Sequence, residues 1–240
     1  MTHRYSLDML LANYLTFFTA IDYFAIGFIL ISWLGLSLAI EHSPKSFPSV
    51  SRLMASHRRA WMVQMVSREP RIFDSQTLSS LRQGTAFFMS ACMLAFGGGL
   101  TLIASTDKIQ GVMSDLSTAS VPAIIWDVKI LFILLFLVNG FLKFVWSHRL
   151  LSYCHILMGT VPNDPDHKDA LPLAAKAAEL NISAGRSYNR GLRSVYFAIA
   201  ACAWFFGSIA LIAATLITLI VMIRREFASH SRKVLLQPSD

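Results

Sequence analysis

The stretch that decides the fold is GTAFFMSACMLAFGGGLTLIAS, residues 84–105, which contains 22 successive residues without a charged side chain. A helix that crosses a hydrocarbon core of about 30 Å needs about 20 apolar residues, since each residue adds about 1.5 Å. The run is continuous and does not alternate with polar residues, which favours a helix over a strand of a membrane barrel. It therefore predicts a transmembrane helix.

Three further stretches predict helices of the same kind. Residues 17–40 are interrupted by Asp22 alone, and residues 195–223 are 29 uncharged residues. Residues 123–146 are apolar except at four positions: Asp127, Lys129, Asn139 and Lys143. The first stretch exceeds the apolar segment of about 7–15 residues that is typical of a signal peptide, so we expect it to be an uncleaved span.

The composition supports this interpretation. The chain has 240 residues, of which 55% are hydrophobic and 15% are charged, and its mean hydropathy is +0.53. Soluble domains have about 45–50% apolar and about 25% charged residues, so an ordinary soluble fold is excluded. The prediction is an all-α integral membrane protein. Residues 1–240 form one domain, with four transmembrane helices and two long loops, 41–83 and 147–194.

Lys and Arg are concentrated in these two loops, which hold seven and six of them. Arg4 alone precedes the first span, and Lys108 alone lies between the second and third spans. The positive-inside rule therefore predicts cytoplasmic loops and places both termini outside. The tail opposes this prediction because it is also basic, with Arg224, Arg225, Arg232 and Lys233.

Both loops are expected to carry amphipathic helices. Apolar residues recur at helical spacing from Val50 to Val66, and Asp169 with Pro172 marks the start of a second helix. A basic amphipathic helix lies either in the headgroup layer or against a neighbouring loop, and both alternatives stay open. The candidates for contact with anionic lipid headgroups or a partner protein are Arg52, Arg58, Arg59, Trp61, Arg190 and Arg193. Nucleic acid is not an expected partner, because the basic residues flank membrane spans.

An internal repeat is suggested by the second and fourth spans. At an offset of 110 residues they share six identities between Phe87 and Ser105. Asp22 and Asp127 open the first and third spans, and His42 and His148 follow them. The pattern predicts two parallel halves related by an axis along the membrane normal, with biased composition as the alternative.

Small residues also recur in the second and fourth spans at four-residue spacing: Ala91, Ala95, Gly99, Ala203 and Gly207. Rows of small residues let membrane helices approach closely. We therefore expect these two helices to contact each other, or their copies in a homodimer.

Charged residues within spans are costly in hydrocarbon, so each is a candidate for function. Asp22 and Lys129 lie at matching depth in the predicted topology, and we expect an ion pair between them, with Asp127 as a competing or additional partner. The pair is either an ion or proton site or a structural pair that fixes helix register. Asn139 and Lys143 share one helix face, and Lys143 lies near enough to the inner end to extend its ammonium toward water.

No enzyme or cofactor signature is present in the sequence. No histidine lies within a predicted span, and His148 and His155, with Cys154 between them, form only a weak metal candidate. Cys92 and Cys202 lie within apolar helices and are expected to be free thiols. The sequence therefore predicts no cofactor, no metal and no catalytic residue.

Distinctive motifs follow one another at the ends of the spans: Arg59-Ala-Trp-Met62, Arg71-Ile-Phe-Asp74, Gly97-Gly-Gly99, Lys143-Phe-Val-Trp146 and Asn189-Arg-Gly-Leu-Arg193. In this order the chain, over about residues 17–215, resembles the uncharacterised multipass membrane family known as domain of unknown function five-ninety-nine, found in bacteria and plants. The resemblance implies a four-helix integral membrane protein and assigns no reaction or site residue.

The sequence leaves two functional hypotheses. The first is a non-enzymatic structural or accessory component, expected in the bacterial cytoplasmic (inner) membrane, whose basic cytoplasmic face binds lipid headgroups or a partner protein. The alternative is a small dimeric transporter or channel that uses Asp22, Asp127, Lys129 and Asn139.

Overall fold

The computed structural model describes residues 18–105 and 123–237, and its regular elements are helices throughout these ranges. In chain order they are α1 (Ala20–Glu41), α2 (Val50–Val66), α3 (Ile72–Ile103), α4 (Ala123–Thr160), α5 (Ala170–Cys202), α6 (Ser208–Phe227) and α7 (His230–Leu236). A short 3₁₀ turn, Ala203–Phe206, connects α5 to α6. Within these two ranges, four stretches are long and apolar enough to cross a membrane: α1, α3, α4 and Ser208–Leu236. The protein is an all-α integral membrane protein.

Helices α4 and α5 form an antiparallel hairpin, and their contacts extend along most of both helices. Near one end Lys129 Nζ donates to the carbonyl of Trp204 at 3.0 Å. Further along, Ser147 Oγ donates to the carbonyl of Ala184 at 2.8 Å, and the Cys154 thiol lies 3.3 Å from the carbonyl of Ala177. This hairpin supports the other helices.

The hairpin is longer than a membrane is thick. The 38 residues of α4 span about 57 Å, whereas a hydrocarbon core measures about 30 Å. Beyond the apolar part of α4, the hairpin is covered by α2 and the start of α3. Met62, Met65, Leu78, Cys154 and Ala177 are fully buried there. Of the two alternatives for the first loop helix, packing against a neighbouring loop is therefore observed.

A second apolar core joins the membrane-spanning parts of α1, α4, α5 and α6. Its largest members are Phe136, Phe197 and Trp204, all buried. Phe136 contacts Trp33 of α1 at 5.1 Å between ring centroids and Phe197 of α5 at 6.4 Å. Aromatic packing of this kind ties three helices together where lipid provides no hydrophobic drive.

The predicted fourth span, residues 195–223, is not one helix. Helix α5 ends at Cys202, and α6 begins at Ser208 after the 3₁₀ turn. Gly207 has φ +109° and ψ 169°, a backbone conformation that residues other than glycine rarely adopt. The chain reverses there, so the apolar end of α5 and helix α6 lie side by side, and the fourth candidate span is Ser208–Leu236.

The reversal moves the C-terminal tail to the end of the bundle that carries the long loops. Arg232 Nε donates to the carbonyl of Pro48 at 2.9 Å, and Glu226 accepts from the backbone N–H of Ser51 at 3.1 Å. The expectation that the tail lies opposite the loops is therefore wrong, because the residues before it do not make a single crossing. Arg4 and Lys108, the two cations that the sequence predicts on the side of the membrane opposite the loops, lie outside the described residues.

Helix α3 packs on α4, and its small residues do not join it to the fourth predicted span. A Cβ at Gly99 would lie 2.5 Å from Leu134 Cδ2 of α4, whereas Ala91 and Ala95 are exposed. Phe88 does contact Tyr188 of α5 at 5.8 Å between ring centroids. The proposed repeat also differs locally, because α3 continues through Gly97 whereas the aligned Gly207 ends a helix.

Candidate functional site

The charged residues of the first and third spans meet at the chain reversal. Asp22 lies in the first turn of α1, where it forms a reciprocal capping box with Thr19. Its Oδ1 accepts from Trp204 Nε1 at 2.9 Å and from the hydroxyl of Ser208. This carboxylate therefore lies at the N-terminus of α6, where a negative charge is favoured by the helix dipole.

Lys129 approaches the same turn from α4. Its ammonium donates to the backbone carbonyl of Trp204 at 3.0 Å and lies 4.9 Å and 5.6 Å from the ring centroids of Trp126 and Trp204. The expected direct Asp22–Lys129 pair is absent from the ion pairs of the described residues, because Trp204 lies between the two side chains. Lys129 instead bonds a backbone carbonyl at the interruption, and Asp22 bonds side chains on both sides of Gly207.

The other intramembrane candidates lie on α4. Asn139 Oδ1 accepts from the hydroxyl of Ser194 at 3.0 Å, within the α4–α5 hairpin. Asp127 is half-buried near the start of α4, and Lys143 is half-buried four residues after Asn139. Asp22, Lys129 and Asn139 are thus hydrogen bonded to protein groups.

A large polar cavity opens at the other end of the bundle, between the ends of α1 and α6 and the facing sides of α2 and α5. We call it the arginine cleft. Its volume is about 830 Å³. Two glutamates, Glu41 and Glu226, and six arginines line it: Arg52, Arg58, Arg59, Arg186, Arg193 and Arg225. The wall therefore carries an excess of positive charge.

Two of the six arginines are neutralised by carboxylates. Arg193, which is 2% exposed, donates to Glu41 at 2.8 Å and to the hydroxyl of Ser37 at 3.0 Å. Arg190, beside the cleft, also pairs with Glu41. Arg59 pairs with Glu179 at 2.7 Å, and this hydrogen bond raises the pKa of Arg59. These guanidinium groups link helices through ion pairs, and their predicted contact with lipid stays a prediction.

Arg58 is different because its hydrogen-bond partners are neutral. It donates to the side-chain oxygen of Asn181 and to the backbone carbonyl of Asn181 at 3.3 Å. The guanidinium lies against Gly185, where an added Cβ would come within 3.0 Å of Cζ and Nη2. Burial lowers the pKa of Arg58, as expected for a cation removed from water without a carboxylate at its side.

The three remaining arginines of the cleft form no ion pair within the described residues, although Arg186 interacts electrostatically with Glu41. Arg52 donates to the carbonyl of Ser43, and Arg225 donates to the hydroxyl of Tyr196 at 2.6 Å. Arg186 is exposed on α5, and within residues 18–105 and 123–237 it makes no hydrogen bond or ion pair. Glu226, the second carboxylate, accepts from the hydroxyl of Ser51 at 3.0 Å. The cleft therefore holds several guanidinium groups that can still receive an anion.

Trp61, the remaining contact candidate, lies outside the cleft. Its indole N–H donates to Asp74 at 2.6 Å, and Arg68 also donates to this fully buried carboxylate. Asp74 lies in the first turn of α3, after the N-cap residue Arg71. Trp61 thus joins α2 to α3, and this contact holds its indole within the protein.

Sequence reasoning missed Glu41, Arg186, Arg225 and Trp204 as site residues. A signal existed for Arg186, which precedes Arg190 and Arg193 by four and seven residues and so shares their helix face. For Trp204 no local signal exists, since its partners are 182 and 75 residues away in sequence.

The histidine and cysteine candidates do not assemble into a cluster. His155 Nε2 lies 3.5 Å from the hydroxyl of Ser75, and Cys154 contacts Asn181 at 3.8 Å. Among the residues with described positions, no group of three or more His, Cys, Asp or Glu could hold a metal ion.

Comparison with known proteins identifies a family. The model of the family described as Protein of unknown function, DUF599, matches residues 24–231. No curated protein and no solved structure matches the chain.

Proposed function

The chain belongs to the family Protein of unknown function, DUF599, and on that premise we propose that it is a non-enzymatic structural or accessory component of a membrane. Its basic end lies on the cytoplasmic side, as in the inner membrane of a bacterium, and binds anionic lipid headgroups there.

One observation carries this proposal. The hydrogen bond from Arg232 to the carbonyl of Pro48 brings the tail to the loops. The cations of the tail therefore add to the thirteen of the two loops instead of opposing them. Under the positive-inside rule, this distribution favours a cytoplasmic location for the whole basic end.

Attraction to lipid follows from the same distribution. Each Lys or Arg near the surface of an anionic leaflet contributes about 1 kcal/mol, and this contribution is screened by salt. Lys45, Lys168, Lys176 and Arg149 are exposed at this end. They do not take part in the ion pairs found in the described parts of the chain.

Site-specific labelling tests the orientation. Single cysteines are introduced by Lys45→Cys, Lys168→Cys and Lys233→Cys in a chain in which Cys92, Cys154 and Cys202 have been replaced. A membrane-impermeant maleimide is expected to label all three in inverted vesicles and none in intact cells. Labelling of Lys233→Cys from the opposite side to the other two would overturn the proposal.

Reconstitution tests the lipid preference. The thermal midpoint of unfolding is measured in nanodiscs with and without anionic phospholipid, at low and high salt. We expect a higher midpoint with anionic lipid, and a smaller difference at high salt. Equal midpoints would contradict the lipid preference. If a stoichiometric protein also copurifies under gentle conditions, the basic end binds a partner protein instead of lipid.

A further inference from the structure

We propose that the arginine cleft is a binding site for a phosphate monoester. This inference goes beyond the proposed function, and it does not depend on which side of the membrane the cleft faces.

The first argument is the charge of the wall. Six arginines and two glutamates line the cleft, and both oxygens of Glu41 are already bonded to Arg190 and Arg193. A cation excess inside a partly enclosed cavity concentrates anions, because protein walls screen the field less than water does.

The second argument is the state of Arg58. Its guanidinium is partly withdrawn from water, yet its protein partners are the neutral oxygens of Asn181. Removing a charge from water without a counter-charge is unfavourable, so such a group is expected to face an anionic ligand. The guanidinium of Arg58 lies against Gly185 of α5, which has no side chain to cover it. Part of its planar set of N–H donors therefore stays available.

The third argument is the choice among anions. Guanidinium groups match the geometry of phosphate oxygens through paired hydrogen bonds. Arg52 and Arg186, which form no ion pair among the residues with described positions, supply further donors to a group with two negative charges. Ordinary carboxylates carry one charge and would leave more of this wall uncompensated.

The fourth argument is size and position. A volume of about 830 Å³ lies within the range of about 300–1,000 Å³ that is typical of small-molecule sites. It exceeds what a bare ion needs, so the phosphate is expected to belong to a larger molecule. Ile40 and Glu41 line the cleft, so it opens beside the end of a candidate membrane span. From this position it can receive either a lipid headgroup or a soluble phosphorylated compound.

The experiment uses the full-length protein in a neutral detergent, with binding measured by calorimetry. The two probes are dihexanoyl phosphatidic acid and glycerol 3-phosphate, which share the phosphate monoester and differ in their acyl chains. Dihexanoyl phosphatidylcholine is the control lipid without net charge. Binding of phosphatidic acid alone identifies a lipid headgroup as the ligand, and comparable binding of both monoesters identifies a soluble phosphate.

Three variants test the residues. Arg58→Gln and Arg186→Gln should each raise the dissociation constant at least about tenfold, since each removes charge-assisted hydrogen bonds. Arg149→Gln is the matched control, because Arg149 is exposed at the same end but does not line the cleft. It should bind within about twofold of the unmodified protein.

Two results would overturn the proposal. One is that neither monoester binds the unmodified protein more tightly than the phosphatidylcholine control. The other is that Arg58→Gln and Arg186→Gln bind as tightly as Arg149→Gln. If Arg58→Gln does not fold, Arg186→Gln decides the test, because Arg186 makes no hydrogen bond within the described parts of the chain.

Discussion

The indole N–H of Trp204 lies 2.9 Å from the carboxylate of Asp22, although the two residues are 182 positions apart. The backbone carbonyl of Trp204 accepts from Lys129 and from the backbone N–H of Gly207, each at 3.0 Å. In hydrocarbon, backbone groups freed by a helix break must find partners within the protein. Lys129 bonds a backbone carbonyl of this break and Asp22 bonds side chains on both sides of it, so we expect both residues to stabilise the chain reversal before the fourth candidate span. This is a structural interpretation of two charges that the sequence left open to an ion-site interpretation.

Replacing Asp22 tests this structural role. Asp22→Ala removes the acceptor for Trp204 and Ser208, so the free energy of unfolding should fall by about 2–3 kcal/mol. Chemical unfolding in detergent and abundance in the membrane measure the loss. Asp166→Ala, in the exposed connection between α4 and α5, is the control and should change stability by less than about 0.5 kcal/mol.

Unfolding and abundance, measured together with flux, distinguish the structural role of Asp22 from the alternative transporter function. If Asp22→Asn reaches normal abundance and unfolds normally but loses an ion or solute flux, the small dimeric transporter is supported. The structural role of Asp22 would then be contradicted.

The reversal itself depends on Gly207. With φ +109° and ψ 169°, this residue lies in a region that costs other residues about 1–3 kcal/mol. Gly207→Ala should therefore lower the thermal midpoint, as recorded by circular dichroism. Gly98→Ala provides the comparison, because a Cβ at Gly98 of α3 would meet nothing within 4 Å. Equal midpoints for the two variants would argue against a backbone constraint at Gly207.

Three spans could be predicted from the sequence because crossing a hydrocarbon core sets a length, and length is a local property. Residues 84–103 of the first stretch belong to α3, and residues 123–146 lie within α4. Both helices extend further at the loop end, where they pack on each other. The break at Gly207 could not be predicted from hydropathy, since residues 195–223 are equally apolar whether they cross once or turn back. The basic tail beginning at Arg224 was the one local signal against a single crossing.

The arginine cleft could be predicted only in part. Arg52 and Arg58 stand out by their position on an amphipathic helix, but the pattern cannot tell which cation meets a carboxylate. Arg193 pairs with Glu41 across 152 residues of sequence. That separation is a property of the packed helices, so no local motif records it.

The Glu41–Arg193 pair should contribute strongly to stability because Arg193 is only 2% exposed. Glu41→Gln leaves a buried cation without a carboxylate, and the expected loss is about 3–5 kcal/mol in the free energy of unfolding. Urea unfolding in mild detergent measures it.

The comparison for this prediction is the exposed pair between Arg59 and Glu179, whose side chains are 56% and 58% exposed. Glu179→Gln makes the same chemical change at the surface and should cost no more than about 1 kcal/mol. Similar losses in the two variants would mean that burial does not determine the strength of the Glu41–Arg193 pair.

The close contact between α4 and α5 gives the last prediction. In a helix, alanine is ordinarily more favourable than glycine by about 1 kcal/mol, so Gly191→Ala would stabilise α5 if the added methyl had room. It does not, because its Cβ would lie 2.7 Å from Cε1 and 2.9 Å from Cζ of the buried Phe144 ring. A ring packed on Phe88 and Tyr188, with centroids 5.4 Å and 5.6 Å away, cannot move aside without disturbing both, and overpacking of this kind costs about 1–3 kcal/mol.

The net effect should therefore be a lower thermal midpoint for Gly191→Ala. Gly84→Ala, whose Cβ would meet nothing within 4 Å, should leave the midpoint unchanged or raise it, and the opposite order would refute this account of the α4–α5 contact.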